Sequence, residues 1–311
     1  MVPVQHIWVR SRGVNLSVEV SMPPDLPDAP TVVLVHGYPD TSAVWRDVRE
    51  QLAKDHVVVT YDCRGAGQSS HPQGSRHYVL ARFVDDLVAV TDLVSPHRPF
   101  HLVGHDWGSI HSWESVTDDK LKGRIASFTS ISGPCLDHLA LWSRSKWARP
   151  TLRHLGQVLS QTLASWYVVF FQLPWLPELV WRAGGKALWL RWLKWTEGVE
   201  AEASDTFVAD ARSGLGMYRA NVLKAMFRPR MRLAHAPVQI IVPTQDRYVR
   251  PQVAEAAMPF ASVLWRRDVA DTHWVVRKRP ELIARYVREF TEWVEADRAP
   301  VLPLRMHAAR R

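Results

Sequence analysis

Cysteine is scarce in this chain: Cys63 and Cys135 are the only two among 311 residues. Two thiols give no disulfide framework for a domain of this size, so the fold is expected to rest on packing, in a reducing cytoplasm. The first thirteen residues, MVPVQHIWVRSRG, lack the apolar run of a secretory leader. A stretch of ~20 uninterrupted apolar residues, which a membrane-spanning helix needs, is also missing. The most apolar segment, residues 165–181, is broken by Pro174 and Pro177. Internal repeats and low-complexity tracts are absent, which excludes solenoid and fibrous classes. Acid is in deficit, with 31 Asp and Glu against 39 Lys and Arg and a formal net charge of +8. The excess is arginine-heavy and spread along the chain without a nucleic-acid motif, so it reads as a solvated surface and not a nucleic-acid face.

What is present is the composition of a folded domain, 47% hydrophobic and 23% charged. Residues 7–20 read as a β-hairpin around Ser11-Arg12-Gly13. Short β-branched runs follow at 31–35, 56–62, 100–106, 125–132, 238–243 and 262–268. Such runs suit strands buried on both faces of a parallel sheet. Helical patterns fall between them at 43–53, 78–95, 108–117, 251–257 and 280–295. The alternation predicts a doubly wound, mostly parallel sheet of eight strands flanked by helices. One interval departs from it. Residues 134–230 read as Trp-rich helices and loops, with breaks at Pro150, Pro174, Pro177, Gly184-Gly185 and Gly214. An all-helical insertion between two strands would sit as a cap over the strand C-termini, the edge where open α/β sheets bind ligands. The expected organisation is a core of 1–133 and 231–298, a cap of 134–230 and a basic tail of 299–311.

Gly104-His105-Asp106-Trp107-Gly108 follows an apolar strand and opens a helical pattern. This is the strand–turn–helix elbow that holds a nucleophile exposed in α/β-hydrolases, with Asp where Ser is usual. The substitution selects the chemistry. A carboxylate attacking an sp³ carbon forms an ester that water can hydrolyse, whereas a serine would form a stable ether. The plainer role for an Asp here is to cap the following helix. His101 and His105 share an H-x-x-x-H spacing, but on a strand and turn and without the Glu of a zinc helix, so no metal and no cofactor is expected.

The order nucleophile, acid, base then assigns Asp246, just past the run VQIIVP, and His273, in the loop after the next strand, with Asp268 and Asp271 as weaker candidates for the acid because neither closes the preceding strand. Asp246 would orient His273 and stabilise its charged form, and His273 would take a proton from water. His36-Gly37-Tyr38-Pro39 follows the strand TVVLV, so the backbone N–H groups of Tyr38 and Trp107 are the expected oxyanion hole. The Gly-rich turn 62–69 lacks the ending of a phosphate loop and is read as structural.

Together these motifs resemble the epoxide hydrolases of the α/β-hydrolase fold, over about residues 10–295. His36-Gly37-Tyr38-Pro39 matches their H-G-x-P and residues 104–108 match their elbow. The likeness extends to mycobacterial members through IASFTSISGP (125–134), DRYVRP (246–251) and LWRRD (264–268). Some of those carry a following short-chain dehydrogenase domain, and 299–311 reads here as a tail or linker remnant. The resemblance implies two cap tyrosines that donate to the epoxide oxygen. Tyr167 heads the segment YVVFFQ, and Tyr218 lies in MYRAN. It also implies a substrate pocket lined by Tyr38, Trp107, Phe170 and Trp274. The expected reactants are an epoxide and water, and a homodimer and a peripheral membrane contact are further partner arrangements.

Haloalkane dehalogenases share the Asp elbow and its following Trp, but usually place Asn where Tyr38 stands. Fluoroacetate dehalogenases have Arg in place of Trp107. A catalytically dead ligand receptor on the same fold would not need Asp106, Asp246 and His273 together. Residues 186–195, KALWLRWLKW, have helical periodicity, with Leu188, Trp189, Trp192, Leu193 and Trp195 on one face and Lys186, Arg191 and Lys194 on the other. That helix either packs its Trp face on the core or rests on an anionic membrane.

Overall fold

The computed structural model describes residues 2–26, 28–200 and 204–298; the expected tail, 299–311, lies outside them. The chain opens with a hairpin of β1 (Val4–Ser11) and β2 (Val14–Ser21). Its two-residue turn has both residues left-handed, Arg12 at φ 45° and Gly13 at φ 85°, which matches the twist of the flanking strands. The other strands are β3 (Thr31–Val35), β4 (Val57–Tyr61), β5 (Phe100–His105), β6 (Ile125–Ile131), β7 (Val238–Pro243) and β8 (Leu264–Val269). They form one sheet in the order β1-β2-β4-β3-β5-β6-β7-β8. Pairing is antiparallel up to β2–β4 and parallel from there on.

Every residue of β3, β5, β6 and β7 is buried, because helices cover both sides of the sheet. Successive side chains point to opposite faces. Val33 and Val35 therefore join the cluster around α2 (Leu80–Val94) and α3 (Trp107–Val116). Val32 and Leu34 join the other, with α1 (Arg46–Leu52) and the later helix Pro280–Arg298. From β3 the chain first moves outward to β4 and then returns to lay β5 on the opposite side of β3. This reversal is the topological switch point, where the loops after β3 and β5 part and leave a crevice.

Among the described residues, six α-helices lie between β6 and β7: α4 (Leu136–Ala148), α5 (Leu152–Ala164), α6 (Trp166–Gln172), α7 (Leu176–Val180), α8 (Lys186–Glu197) and α9 (Phe207–Phe227). Pro150 and Pro174 lie in their connections and Pro177 in the first turn of α7. Thr151 caps α5 by accepting from the His154 N–H at 3.1 Å. Gly214, expected as a break, lies inside α9. A Cβ there would collide with the Tyr38 ring, so this glycine serves close packing and not a turn. The last described elements are α10 (Val275–Lys278) and α11 (Pro280–Arg298). No helix among the described residues is long and apolar enough to cross a membrane.

The single apolar face expected of α8 is two faces. Trp189 and Leu193 turn inward, Trp189 packing on Trp181 and Trp274. Leu188, Trp192 and Trp195, at i, i+4 and i+7, form a separate exposed strip.

Candidate active site

β5 ends at His105, and α3 begins at Trp107. Asp106 alone makes the turn, at φ 54° and ψ −123°. That conformation is strained for a residue with a side chain, by about 1–3 kcal/mol. The surroundings enforce it. The Asp106 N–H donates to the Ile131 carbonyl at 3.0 Å, and its own carbonyl accepts from Ser109 and Ile110 at 3.0 and 3.1 Å. Gly108 lets α3 approach β3 closely, since a Cβ there would meet the Val35 carbonyl oxygen. The carboxylate is thereby lifted out of the sheet at the switch point, the edge where open α/β sheets bind ligands.

Two neighbours meet that carboxylate. The Tyr38 backbone N–H donates to Oδ1 at 2.7 Å, and His273 Nε2 lies 3.5 Å from Oδ2. Trp107 is the first residue of α3, where an N–H has no intrahelical acceptor. The loop bearing Tyr38 is held from behind. His36 accepts the Cys63 N–H at 2.9 Å, and Asp62 accepts from the Ser42 N–H and hydroxyl at 2.9 and 2.7 Å. The Gly-rich turn after β4 thus braces the loop after β3.

His273 Nδ1 donates to Asp246 Oδ2 at 2.9 Å. Asp246 Oδ1 accepts two backbone N–H groups, of Tyr248 at 2.7 Å and Val249 at 2.9 Å. Burial opposes the charge on Asp246, but His273 and these donors outweigh it and hold the carboxyl below its usual range. Burial likewise disfavours protonated His273. The Asp246 charge, and after it the hydrogen bond and charge of Asp106, raise the imidazole well above its ordinary value. Under it, His105 donates from Nε2 to the His273 carbonyl at 2.9 Å. Burial, then the neighbouring His273, bring His105 down to about 4, so it stays neutral at pH 7. His101 instead meets Ser127 and Glu295. Among the described residues no group of His, Cys, Asp or Glu is arranged to hold a metal ion.

The helical insert supplies the opposite wall. Tyr167 on α6 and Tyr218 on α9 have ring centroids 6.1 Å apart, and Tyr38 packs 5.4 Å from Tyr218. Burial, followed for Tyr167 by the Asp106 charge, raises its hydroxyl well above the normal range. For Tyr218 burial leads again, then Tyr167 and Asp106. Both phenols therefore keep their protons at neutral pH. Trp107 packs its ring 4.7 Å from Tyr218.

Phe170 and Trp274, both expected in the pocket, have neighbours that the sequence does not show. Phe171, four residues after Tyr167 and so on its helix face, packs among Tyr38, Tyr167 and Tyr218; Phe170 lies beside it and meets Phe171 alone among rings. Trp274 is only 2% exposed and donates its indole N–H to Asp40 Oδ2 at 2.7 Å. Its ring packs 4.7 Å from that of His273. Sequence reasoning also missed Asp40 and Tyr248. Asp40 directly follows the H-G-x-P segment and joins Trp274 and Arg277. Tyr248, two residues after the acid, stands 4.9 Å from the His273 ring and 5.7 Å from Tyr167. Their adjacency to the motifs was the available signal.

A family model described as alpha/beta hydrolase fold matches residues 30–276. The chain is 34% identical over 292 residues to a Mycobacterium tuberculosis protein named "Probable oxidoreductase EphD". That match covers 91% of this chain but 49% of the relative, so the chain spans about half its length. Epoxide hydrolase A of the same organism is 36% identical over 111 residues, which is 35% of this chain and 34% of that one. Among solved structures, a Bacillus megaterium epoxide hydrolase superposes with a TM-score of 0.74 at 19% identity, covering 92% of this chain and all (100%) of its own. Epoxide Hydrolase A from Mycobacterium thermoresistibile gives 0.71 at 20% identity, over 93% and 98% of the two chains.

Proposed function

The chain belongs to the alpha/beta hydrolase fold family, and we propose that it opens epoxides to vicinal diols through an ester on Asp106. The observation that carries the reading is the environment of one carboxylate. Asp106 sits at the elbow with the Tyr38 N–H at 2.7 Å and His273 at 3.5 Å, beneath two protonated tyrosines. The names of Epoxide hydrolase A and of the superposed structures support the same substrate class. In this reading the helical insert, 134–230, acts as the cap.

The first half-reaction needs an electrophile held between carboxylate and phenols. Asp106 attacks a ring carbon, the carbon–oxygen bond breaks, and the developing alkoxide is stabilised and protonated from Tyr167 or Tyr218. Attack by Asp106 also removes its negative charge. His273 then loses one of the two carboxylates that favour its protonated form, so it gives up its proton more readily and the neutral imidazole that can accept a proton from water becomes available for the second half-reaction. Water delivered by His273 adds to the ester carbonyl. The oxyanion lies at the N–H groups of Tyr38 and Trp107 until it collapses, the departing diol oxygen takes the proton from His273, and the proton left on the Asp106 carboxyl passes to the tyrosinate, which restores both groups.

An Asp elbow also suits carbon–halogen cleavage, but the paired tyrosines favour the epoxide. They answer an alkoxide that needs a proton, whereas a halide leaves as a stable anion. The test is a product assay on a panel of epoxides, from styrene oxide to long-chain epoxides, beside a panel of haloalkanes. Diol without halide release is expected. Halide release without diol would replace the proposal by dehalogenation, and turnover of neither panel would favour a ligand receptor.

A further inference from the structure

The positive charge of the chain is not evenly spread once it is read against the fold. Between His138 and Thr196 there is a single acid, Glu178, against eight arginines and lysines. Glu178 is already occupied by Arg219. Arg149, Arg153, Arg182 and Arg191 are exposed and have no carboxylate partner among the described residues.

The same helices leave their largest apolar side chains in the open. On α5 and α6 these include Leu152, Leu163, Trp166 and Val169, with Trp166 67% exposed. On α8 they are Leu188, Trp192 and Trp195, with Trp195 79% exposed. A run of aromatic contacts joins the two strips. Trp195 packs 5.9 Å from Trp192, whose indole N–H donates to the Tyr248 hydroxyl at 2.8 Å. The Tyr248 ring lies 5.7 Å from Tyr167, and Tyr167 lies 6.5 Å from Trp166. Gln161 of α5 donates to the Tyr248 carbonyl at 2.9 Å, so both helices converge on one residue. Tyr248 in turn borders His273.

We propose that the outer face of α5, α6 and α8 docks on an anionic lipid bilayer, with Trp166, Trp195 and the leucines in the acyl boundary and the unpaired arginines against the headgroups. Exposed Trp and Leu interleaved with cations and nearly free of acid are what an interfacial surface requires. A water-facing helix gains nothing from such an apolar strip. A second copy of the chain would bring like charges together, whereas an anionic surface complements them. Docking in this orientation sets the membrane two aromatic rings from the crevice, by way of Trp192 and Tyr248. The inference goes beyond the proposed reaction and is tested without it.

The test is co-sedimentation of the full chain with phosphatidylglycerol–phosphatidylcholine vesicles, beside vesicles of phosphatidylcholine alone. Binding to the anionic vesicles is expected, with loss at high salt. The pairs Leu163→Ser/Trp195→Ser and Arg153→Glu/Arg191→Glu should each weaken it by roughly tenfold or more, as two lost interfacial contacts imply. Arg285→Glu on α11 changes charge elsewhere and should leave binding intact; circular dichroism verifies that each variant is folded. Equal binding to both vesicle types, no binding, or an equal loss with Arg285→Glu would overturn the proposal. So would a dimer in solution that the same surface pairs break while vesicle binding is unchanged.

Discussion

The Tyr38 backbone N–H donates to Asp106 Oδ1 at 2.7 Å, so a loop after β3 and a turn after β5 hold one carboxylate between them. Gly37 makes this approach possible. A Cβ on it would meet the Asp106 side chain, with Cγ only 2.8 Å away. Gly37→Ala should therefore displace the Asp106 carboxylate and lower kcat/KM by about 10² or more, the scale of an ångström-sized misplacement. The fold should persist by circular dichroism. Near-wild-type turnover would mean that Asp106 is not held where the reaction needs it.

His273 and Asp246 predict a pH dependence of stability. His273 is raised in the folded protein, so its contribution is full below the unfolded histidine value of about 6.5 and is lost as pH rises through the folded value. Asp246 is lowered, so its contribution is present above about 3.9 and is lost as pH falls through its folded value. The Tm difference between wild type and His273→Gln should be widest between roughly pH 4 and 6.5. It should shrink on the alkaline side. A difference that grows with rising pH contradicts the pairing.

Replacing either cap tyrosine separates the half-reactions. Tyr167→Phe or Tyr218→Phe should slow ester formation by roughly 10²–10⁴, the range for loss of a general acid. Hydrolysis of an ester already formed should change little. Stopped-flow quenching of Trp fluorescence resolves the two phases, and slowing confined to the second phase counts against both assignments.

Asp40 braces the base from behind, through Trp274 at 2.7 Å and Arg277 at 2.9 Å. Asp40→Ala leaves a buried indole N–H without its acceptor and should destabilise the fold by about 1–3 kcal/mol. It should also lower kcat through a looser His273, with KM little changed. Urea denaturation and steady-state kinetics check the two effects. An unchanged midpoint would show that the contact contributes nothing.

The inner strands of the sheet were legible because they are buried on both sides. Runs such as TVVLV and VQIIVP coincide with β3 and β7 to the residue. Asp106 and Asp246 stood out because each follows such a run, whereas His273 follows β8, which is only partly buried, and stood out by its place in the order after Asp246. The insert was harder to read. Along α8 a pattern of period 3.6 cannot show that Trp189 faces protein while Trp192 faces outward, since both are apolar. Gly214 read as a break, because a glycine kept for a neighbouring ring has the same letter as one kept for a turn. Asp40, Phe171 and Tyr248 act through partners far away in sequence, which local spacing does not reveal.

The most direct test of an ester on Asp106 is a single turnover in ¹⁸O-water, with enzyme in excess over styrene oxide. Water should enter the ester carbonyl, so the label should appear in the peptide containing Asp106 and be absent from the first diol. His273→Gln should meanwhile accumulate the alkylated protein by mass spectrometry. Label in the first-turnover diol, with Asp106 unlabelled, would mean that water attacks the ring directly and that Asp106 is not the nucleophile.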